Sequence, residues 1–172
     1  MLNTGTLALT LPSDREVRMT RVFDAPRALV FDALTKPELL MRWFSGPPGW
    51  SLEVCEFDAK EGGAYRYVWR GPDGTEMGMG GVLIEFVAPE RLVSTEKFDQ
   101  AWYPGEATGT IVLTEEGGKT TLTLTVEYDS QETRDMVLQT PMKEGVQFGY
   151  DRLADLLAAE GSHRLEKGAA EA

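Results

Sequence analysis

Carboxylates on predicted strands are the side chains of this sequence best suited to chemistry. A carboxyl group buried beside aromatic rings has a raised pKa and can transfer a proton near neutral pH. Glu96 is the strongest candidate, because it shares the strand phase of Leu92 and Phe98 and is predicted to point inward. The other candidates are Glu56, Glu85, Asp99 and Glu106. Since most charged residues on strands are solvated, the pattern assigns no catalytic residue.

Large aromatic residues alternate along one predicted strand, at Tyr65, Tyr67 and Trp69. Their OH and NH groups need partners when buried, and a cavity holding a ligand or water would supply them. A half-exposed sheet face also accommodates such residues, and strand phase alone does not decide between the two. Further aromatic and methionine side chains would either line the same cavity or fill a plain core. The predicted ligand-binding set is Trp43, Trp50, Tyr65, Tyr67, Trp69, Met79, Glu96, Trp102, Met142, Val146 and Phe148.

The sequence contains a single histidine and a single cysteine. His163 lies in a predicted tail, so Ser-His-Asp and Cys-His machinery and histidine metal triads are excluded. Cys55 has no histidine to activate it and is predicted to be a core or half-buried residue. One cysteine also excludes an internal disulfide framework and paired-thiolate metal sites. We expect no metal and no cofactor.

Acidic residues outnumber basic ones, 28 to 17, for a formal charge of −11. This charge repels phosphate backbones and anionic head groups, so nucleic acid and membrane surfaces are not expected partners. No apolar run approaches the roughly 20 residues of a spanning helix, and the N-terminus lacks the features of a secretory leader. We expect a soluble protein of the reducing cytoplasm.

The elements that position these side chains begin with a strand at 16–23 and two short helices at 26–34 and 35–43. Pro26 and Pro37 suit first helical positions. The glycine and proline turn at 46–49 then ends the helical region. Strands are predicted at 50–57, 64–70, 75–87, 91–98, 108–115 and 119–128.

Helical spacing resumes after Thr140 and Pro141 and predicts one long C-terminal helix. Gly145 costs that helix about 1 kcal/mol relative to alanine unless something must come close, so the hypothesis is close contact with the sheet and the alternative is a glycine that is merely tolerated. The predicted fold is α+β, with a curved antiparallel sheet of about six to seven strands around the long helix. Residues 1–15 are predicted as a partly ordered segment, 16–160 as a single domain, and 161–172 as a flexible tail.

Several motifs occur in an order that resembles a known family. They are the segments 37–43 (PELLMRW), 62–65 (GGAY), 73–74 (DG), 88–93 (APERLV), 144–145 (EG) and 151–153 (DRL). Over residues 16–160 the chain resembles the homologues of the activator of heat shock protein 90 ATPase, in the START-like (SRPBCC, birch-allergen-like) superfamily. The resemblance implies a helix-grip fold. One departure is Val146, where the family usually has tryptophan after the glycine.

The superfamily includes lipid carriers, polyketide cyclases and aromatases, oxygenase domains, hormone receptors and a eukaryotic co-chaperone, so the resemblance implies a fold more than a function. The first expectation is non-catalytic binding of an apolar or amphipathic small molecule. The second is a cyclase or aromatase that uses Glu96 with Tyr65 or Tyr67. The third is a stress-related co-chaperone of heat shock protein 90, ranked last because the eukaryotic protein has an additional N-terminal domain for which this chain has no room. A homodimer is left open.

Overall fold

The computed structural model describes the backbone of residues 6–171 and the side chains of residues 6–164, 167 and 168. The fold is α+β, as predicted from the sequence. In chain order the elements are β1 (Ala8–Thr10), β2 (Glu16–Phe23), α1 (Arg27–Thr35), α2 (Pro37–Trp43), β3 (Ser51–Phe57), β4 (Ala64–Arg70), β5 (Glu76–Val87), β6 (Arg91–Phe98), β7 (Ala107–Glu116), β8 (Lys119–Glu127), α3 (Gln131–Leu138) and α4 (Met142–Glu171).

The strands form one antiparallel sheet in the order β1-β2-β8-β7-β6-β5-β4-β3. The connection from β2 to β3 runs from near one edge of the sheet to the opposite edge and contains α1 and α2. The sheet has eight strands rather than six or seven, because Ala8–Thr10 pairs with β2. The two short helices therefore follow the second strand. Residues 1–5 of the predicted N-terminal segment lie outside the described residues.

The hairpin of β7 and β8 shows why the strand pattern predicted the sheet well. Gly117 and Gly118 take positive φ values of 60° and 77°, which the tight turn between Glu116 and Lys119 requires. Leu122 is completely buried, whereas the threonines on the alternate positions are half-buried. One face of the strand therefore meets the core, as its alternation predicts.

Curvature of the sheet comes from irregular pairing in its second half. The register shifts between Leu52 and Val54 on β3 and between Leu83 and Glu85 on β5. At Gly81 an added Cβ would overlap the carbonyl oxygen of Thr95, so only glycine allows this close approach of β5 to β6. Bulges of this kind bend strands and let the sheet curl around α4.

The C-terminal helices differ from the sequence prediction in two respects. Helix α3 was not predicted, because its sequence is mostly polar and buries only one apolar residue, Val137. Ser130 caps it by accepting a hydrogen bond from the amide of Thr133 at 3.1 Å. Helix α4 continues through residues 161–171, beyond its predicted end. Flexibility of this tail remains a prediction, and residue 172 lies outside the described residues.

A buried arginine fastens α4 to the sheet. Arg21 on β2 is 2% exposed, and its Nη1 lies 2.8 Å from Asp151 on α4 and 3.4 Å from the carbonyl oxygen of Gln147. Its guanidinium also lies over the ring of Phe23, 5.3 Å from the centroid. This residue interrupts the apolar pattern of β2 without leaving the inner face.

None of the described helices has the length and apolar character needed to cross a membrane.

Candidate functional site

A cavity of about 430 Å³ lies between the concave face of the sheet and α4. Every strand from β2 to β8 contributes to its wall, together with α1, α2, the first three turns of α4 and the segments that follow α2, β6 and β8. The apolar lining includes Met19, Leu34, Leu40, Phe44, Phe57, Met77, Leu83, Leu92, Phe98, Ile111, Leu124 and Val126. Among the described wall residues, Glu96 is the only charged one. The site is an apolar chamber with one carboxyl group.

Nine of the predicted site residues reach this wall, and Trp50 and Phe148 do not. Trp50 packs over Gly71, where an added Cβ would lie 2.9 Å from its ring. Phe148 lies about 200° around the helix from Val146, beneath the guanidinium of Arg152 at 4.7 Å. The structure therefore places these two predicted residues outside the cavity wall. The residues that it brings together are Trp43, Tyr65, Tyr67, Trp69, Met79, Glu96, Trp102, Met142 and Val146.

We call Tyr65, Tyr67 and Trp69 the aromatic wall. They are only 6%, 6% and 4% exposed, so they do not sit on a half-exposed face of the sheet. The indole NH of Trp69 donates to the carbonyl oxygen of Phe44 at 2.8 Å, and the Tyr65 hydroxyl donates to that of Thr95 at 2.6 Å. No described residue forms a hydrogen bond with the Tyr67 hydroxyl, and burial raises the pKa of this phenol. Two of the three polar groups therefore find backbone partners.

We call Glu96, Trp102, Tyr103 and Tyr128 the acidic end of the cavity. The Tyr103 hydroxyl donates a hydrogen bond to Oε1 of Glu96 at 2.8 Å. The Tyr103 ring packs edge-on against Trp102 at 4.8 Å and against Tyr128 at 5.3 Å. A carboxyl group is thus held inside a cluster of aromatic rings.

Burial raises the pKa of Glu96, and the hydrogen bond from Tyr103 acts in the opposite direction. The pKa values of Tyr103 and Tyr128 are raised by burial and by the nearby carboxylate. Glu96 is nevertheless only half-buried, because part of its surface borders the cavity. A carboxyl group in such a place is able to face a ligand.

The open side of the cavity is marked by Pro47 and Gly145, the two wall residues that are exposed. A Cβ added to Gly145 would find no described atom within 4 Å beyond its chain neighbours and the backbone of its own helix. The prediction that this glycine approaches the sheet closely is therefore wrong, since open space faces it instead. Arg152 of α4 contacts the hydroxyl of Ser45 beside this opening and ties the helix to the loop after α2.

The other carboxylates considered from the sequence do not belong to the site. Glu85 pairs with Arg91 at 2.7 Å on the surface. Asp99 pairs with Arg66, whose guanidinium lowers the pKa of that exposed carboxyl group. The remaining two, Glu56 and Glu106, are exposed to solvent and absent from the cavity wall.

Cys55 lacks the surroundings of a nucleophile. Burial, with a smaller contribution from Glu38, raises the pKa of its thiol to about 11. The thiol is therefore protonated at neutral pH. Among the described residues, no group of three or more His, Cys, Asp or Glu side chains is arranged to hold a metal ion.

Phe44 and Tyr128 line the cavity but were absent from the predicted set. Tyr128 continues the inward phase of Leu122 and Val126, so the alternation of β8 contains the signal that identifies it. Phe44 follows the last residue of α2 and has neither helical nor strand periodicity around it. Its position depends on where the chain turns after the helix.

Comparison with known proteins agrees with this architecture. A crystal structure from Rhodobacter sphaeroides matches with a TM-score of 0.84 and 33% identity, covering 89% of this chain and 98% of that one. One from Nitrosomonas europaea matches with a TM-score of 0.77 and 26% identity, covering 88% and 99%. A Plasmodium falciparum protein described as an HSP90 activator shares the fold, with a TM-score of 0.52 and 23% identity over 66% of this chain and 72% of that one.

No curated protein matches the sequence. The model of the family described as Activator of Hsp90 ATPase homolog 1-like protein matches residues 24–158. This range begins at the end of β2, includes α1 to α3 and β3 to β8, and ends within α4. It therefore contains nearly all of the residues that enclose the cavity. The chain belongs to the family of Activator of Hsp90 ATPase homolog 1-like proteins.

Proposed function

We propose that this protein binds an apolar or amphipathic small molecule in the cavity between the sheet and α4. The observation that carries the proposal is the cavity itself, about 430 Å³ with a predominantly apolar wall. Ligand sites in proteins commonly have volumes of about 300–1,000 Å³, apolar walls and few polar groups. A plain core would instead fill this volume with side chains, because protein interiors are close-packed.

The chemistry of the wall suits a ligand that contributes mostly apolar surface. The aromatic wall presents ring surface, and two of its three polar groups are already bound to backbone carbonyls. Burial of apolar area stabilises a complex by about 25 cal/mol per Å², which supports micromolar affinity after the costs of ordering. Met77, Met79 and Met142 add flexible side chains that can adapt to the shape of a ligand.

Titration with a neutral apolar fluorophore, N-phenyl-1-naphthylamine, tests the proposal. We expect saturable binding with one molecule per chain and a change in tryptophan emission, since Trp43, Trp69 and Trp102 line the cavity. Gly145→Leu places a side chain at the opening and should weaken binding at least about tenfold. The matched control is Gly161→Leu on the same helix, which is absent from the cavity wall and where an added Cβ meets no described atom beyond its own helix within 4 Å. Weak binding at many sites, or equal affinity in both variants, would contradict the proposal.

An enzyme of the cyclase or aromatase type is a second candidate, favoured by Glu96 on the cavity wall with a raised pKa. The Tyr67 hydroxyl could assist in proton transfer, because no described residue forms a hydrogen bond with it. Exchange of the acidic C–H of 2,4-decanedione with deuterated water, followed by NMR, measures such chemistry. The enzyme hypothesis requires acceleration by the wild type and its loss in Glu96→Gln.

The family description favours a third candidate, a co-chaperone of heat shock protein 90. A co-chaperone of this kind would stimulate ATP hydrolysis by the chaperone at stoichiometric concentration. The measurement is steady-state ATP hydrolysis by the Hsp90 of the same organism, with and without the protein. Gly145→Leu should leave any such stimulation intact if the partner binds outside the cavity, which separates this function from ligand binding.

A further inference from the structure

We propose that the acidic end of the cavity recognises a positively charged nitrogen, so that the ligand is an amphipathic amine. Its apolar body would contact the aromatic wall, and its ammonium group would lie beside Glu96. The inference deepens the proposed ligand-binding function and rests on it. It names the chemical class of the ligand.

The first support is an uncompensated charge. Glu96 is the only charged residue among the described wall residues, and no described arginine, lysine or histidine pairs with it. Buried carboxylates are normally paired, because removing the charge from water is costly. A cationic ligand would supply the missing partner.

The second support is the hydrogen bonding of the carboxyl group. Oε1 of Glu96 accepts from the Tyr103 hydroxyl at 2.8 Å, and Oε2 accepts from no described residue. Glu96 borders the cavity, so the unused acceptor is within reach of a ligand. An ammonium group has N–H donors that would fill it with a charge-assisted hydrogen bond.

The third support is the aromatic character of the surroundings. Trp102 and Tyr128 both line the cavity, and both pack against Tyr103, the residue that holds Glu96. Phe98 adds another ring to the same cluster, 5.5 Å from Trp102. Faces of aromatic rings attract cations, and tryptophan does so most strongly. A carboxylate surrounded by aromatic rings combines both features that bind a desolvated ammonium group.

Other head groups fit this end less well. A carboxylate or phosphate group would face Glu96 with no basic residue on the described wall to compensate either charge. Like charges in a site of low dielectric constant repel strongly, so such a ligand would bind only if Glu96 took up a proton. An alcohol would satisfy the free acceptor but gain neither charge pairing nor attraction to the rings. The geometry therefore favours the amine.

Three ligands with the same ten-carbon chain separate these possibilities: decylamine, 1-decanol and decanoate. Isothermal titration of the full-length protein at neutral pH measures the affinity of each. We expect decylamine to bind about tenfold or more tighter than 1-decanol, and decanoate to bind weakest. If the chain is bound but decylamine has no advantage, ligand binding stands and the amine proposal is overturned. If none of the three binds, ligand binding itself fails.

Glu96→Gln provides the second measurement, because it removes the charge and keeps the size and an acceptor for Tyr103. The ratio of decylamine to 1-decanol affinity should fall to about one. The matched control is Glu106→Gln, an exposed carboxylate outside the cavity wall whose loss changes the net charge equally. This control should retain the ratio. A fall of the same size in both variants would show general attraction to an acidic protein and overturn the assignment to Glu96.

Discussion

The aromatic wall and the acidic end border the same cavity but differ in the hydrogen-bond partners of their polar groups. In the aromatic wall, Trp69 and Tyr65 donate to backbone carbonyls and present ring surface to the cavity. In the acidic end, Tyr103 and Glu96 bond to each other and leave one carboxylate oxygen without a described donor. The first region is suited to hold apolar surface of any kind, whereas the second is suited to distinguish one head group from another.

The two regions should also contribute to stability with opposite sign. Buried rings whose polar atoms are satisfied stabilise the fold through apolar area and packing. A buried carboxyl group with a raised pKa destabilises it whenever the group is ionised. Proteins commonly retain such unfavourable groups where binding or catalysis requires them. Mutations in the two regions therefore test the comparison directly.

The largest effect is expected from Trp69→Ala in the aromatic wall. It removes a ring that is 4% exposed and leaves the carbonyl oxygen of Phe44 without its donor. We expect a loss of about 3–5 kcal/mol in the free energy of unfolding, measured by urea denaturation, together with weaker probe binding. The control is Val68→Ala, a half-buried residue on the other face of the same strand, which should cost less than about 1 kcal/mol. Similar losses for both variants would mean that the ring does not stabilise the core.

A smaller loss, about 2 kcal/mol at neutral pH, is expected from Tyr103→Phe in the acidic end. The variant removes the described donor to Oε1 of Glu96, so the pKa of this carboxyl group should rise further. The loss should shrink at low pH, where Glu96 is protonated in both proteins. Urea titrations of Tyr103→Phe, Glu96→Gln and the double variant give the interaction energy. Because Glu96→Gln keeps an acceptor for Tyr103, additive effects would show that the charge of Glu96 adds nothing to this hydrogen bond.

Glu96→Gln should instead stabilise the ligand-free protein at neutral pH, by about 1 kcal/mol. Because the pKa of Glu96 in the folded state is raised above the ordinary value of 4.5, protonation favours the folded state. The stability from this group is complete below its unfolded pKa and is lost as pH rises through its folded pKa. The groups facing it are Tyr65, Tyr103 and Tyr128, whose raised pKa values keep them neutral over this range. The advantage of the variant should therefore disappear in acid. An equal gain at every pH would exclude ionisation as its cause.

The regions of the fold with regular alternation were predictable from the sequence. The pattern of β8 identified its buried face, and the phase of Glu96 placed it toward the interior, where it lines the cavity. The pairing of Ala8–Thr10 with β2 was missed, because a strand of three residues is too short to show a recognisable alternation of apolar and polar residues. Helix α3 was missed because its capping by Ser130, rather than an apolar stripe, marks its start.

The details of the site depended on contacts that no local pattern contains. Trp50 and Trp69 are the same type of residue, but only Trp69 lines the cavity. Trp50 instead packs over Gly71 at the end of the sheet. The donor to Glu96 is Tyr103, in a loop seven residues along the chain with no strand or helix period. Such positions are decided by tertiary packing.

The smallest effect concerns the helix opposite both regions. The sequence suggested that Gly145 lies close to the sheet, in which case any side chain there would be destabilising. The structure leaves this position open, with no described atom beyond its own helix within 4 Å of an added Cβ. Gly145→Ala should therefore stabilise the protein by about 0.5–1 kcal/mol, because alanine has the higher helix propensity. Gly161→Ala, where an added Cβ also meets no described atom beyond the same helix, should give a gain of similar size in thermal or urea unfolding. If Gly145→Ala were destabilising while Gly161→Ala was not, α4 would have to approach the sheet more closely than the structure shows. The cavity bounded by the aromatic wall, the acidic end and this helix would then be smaller than ligand binding requires.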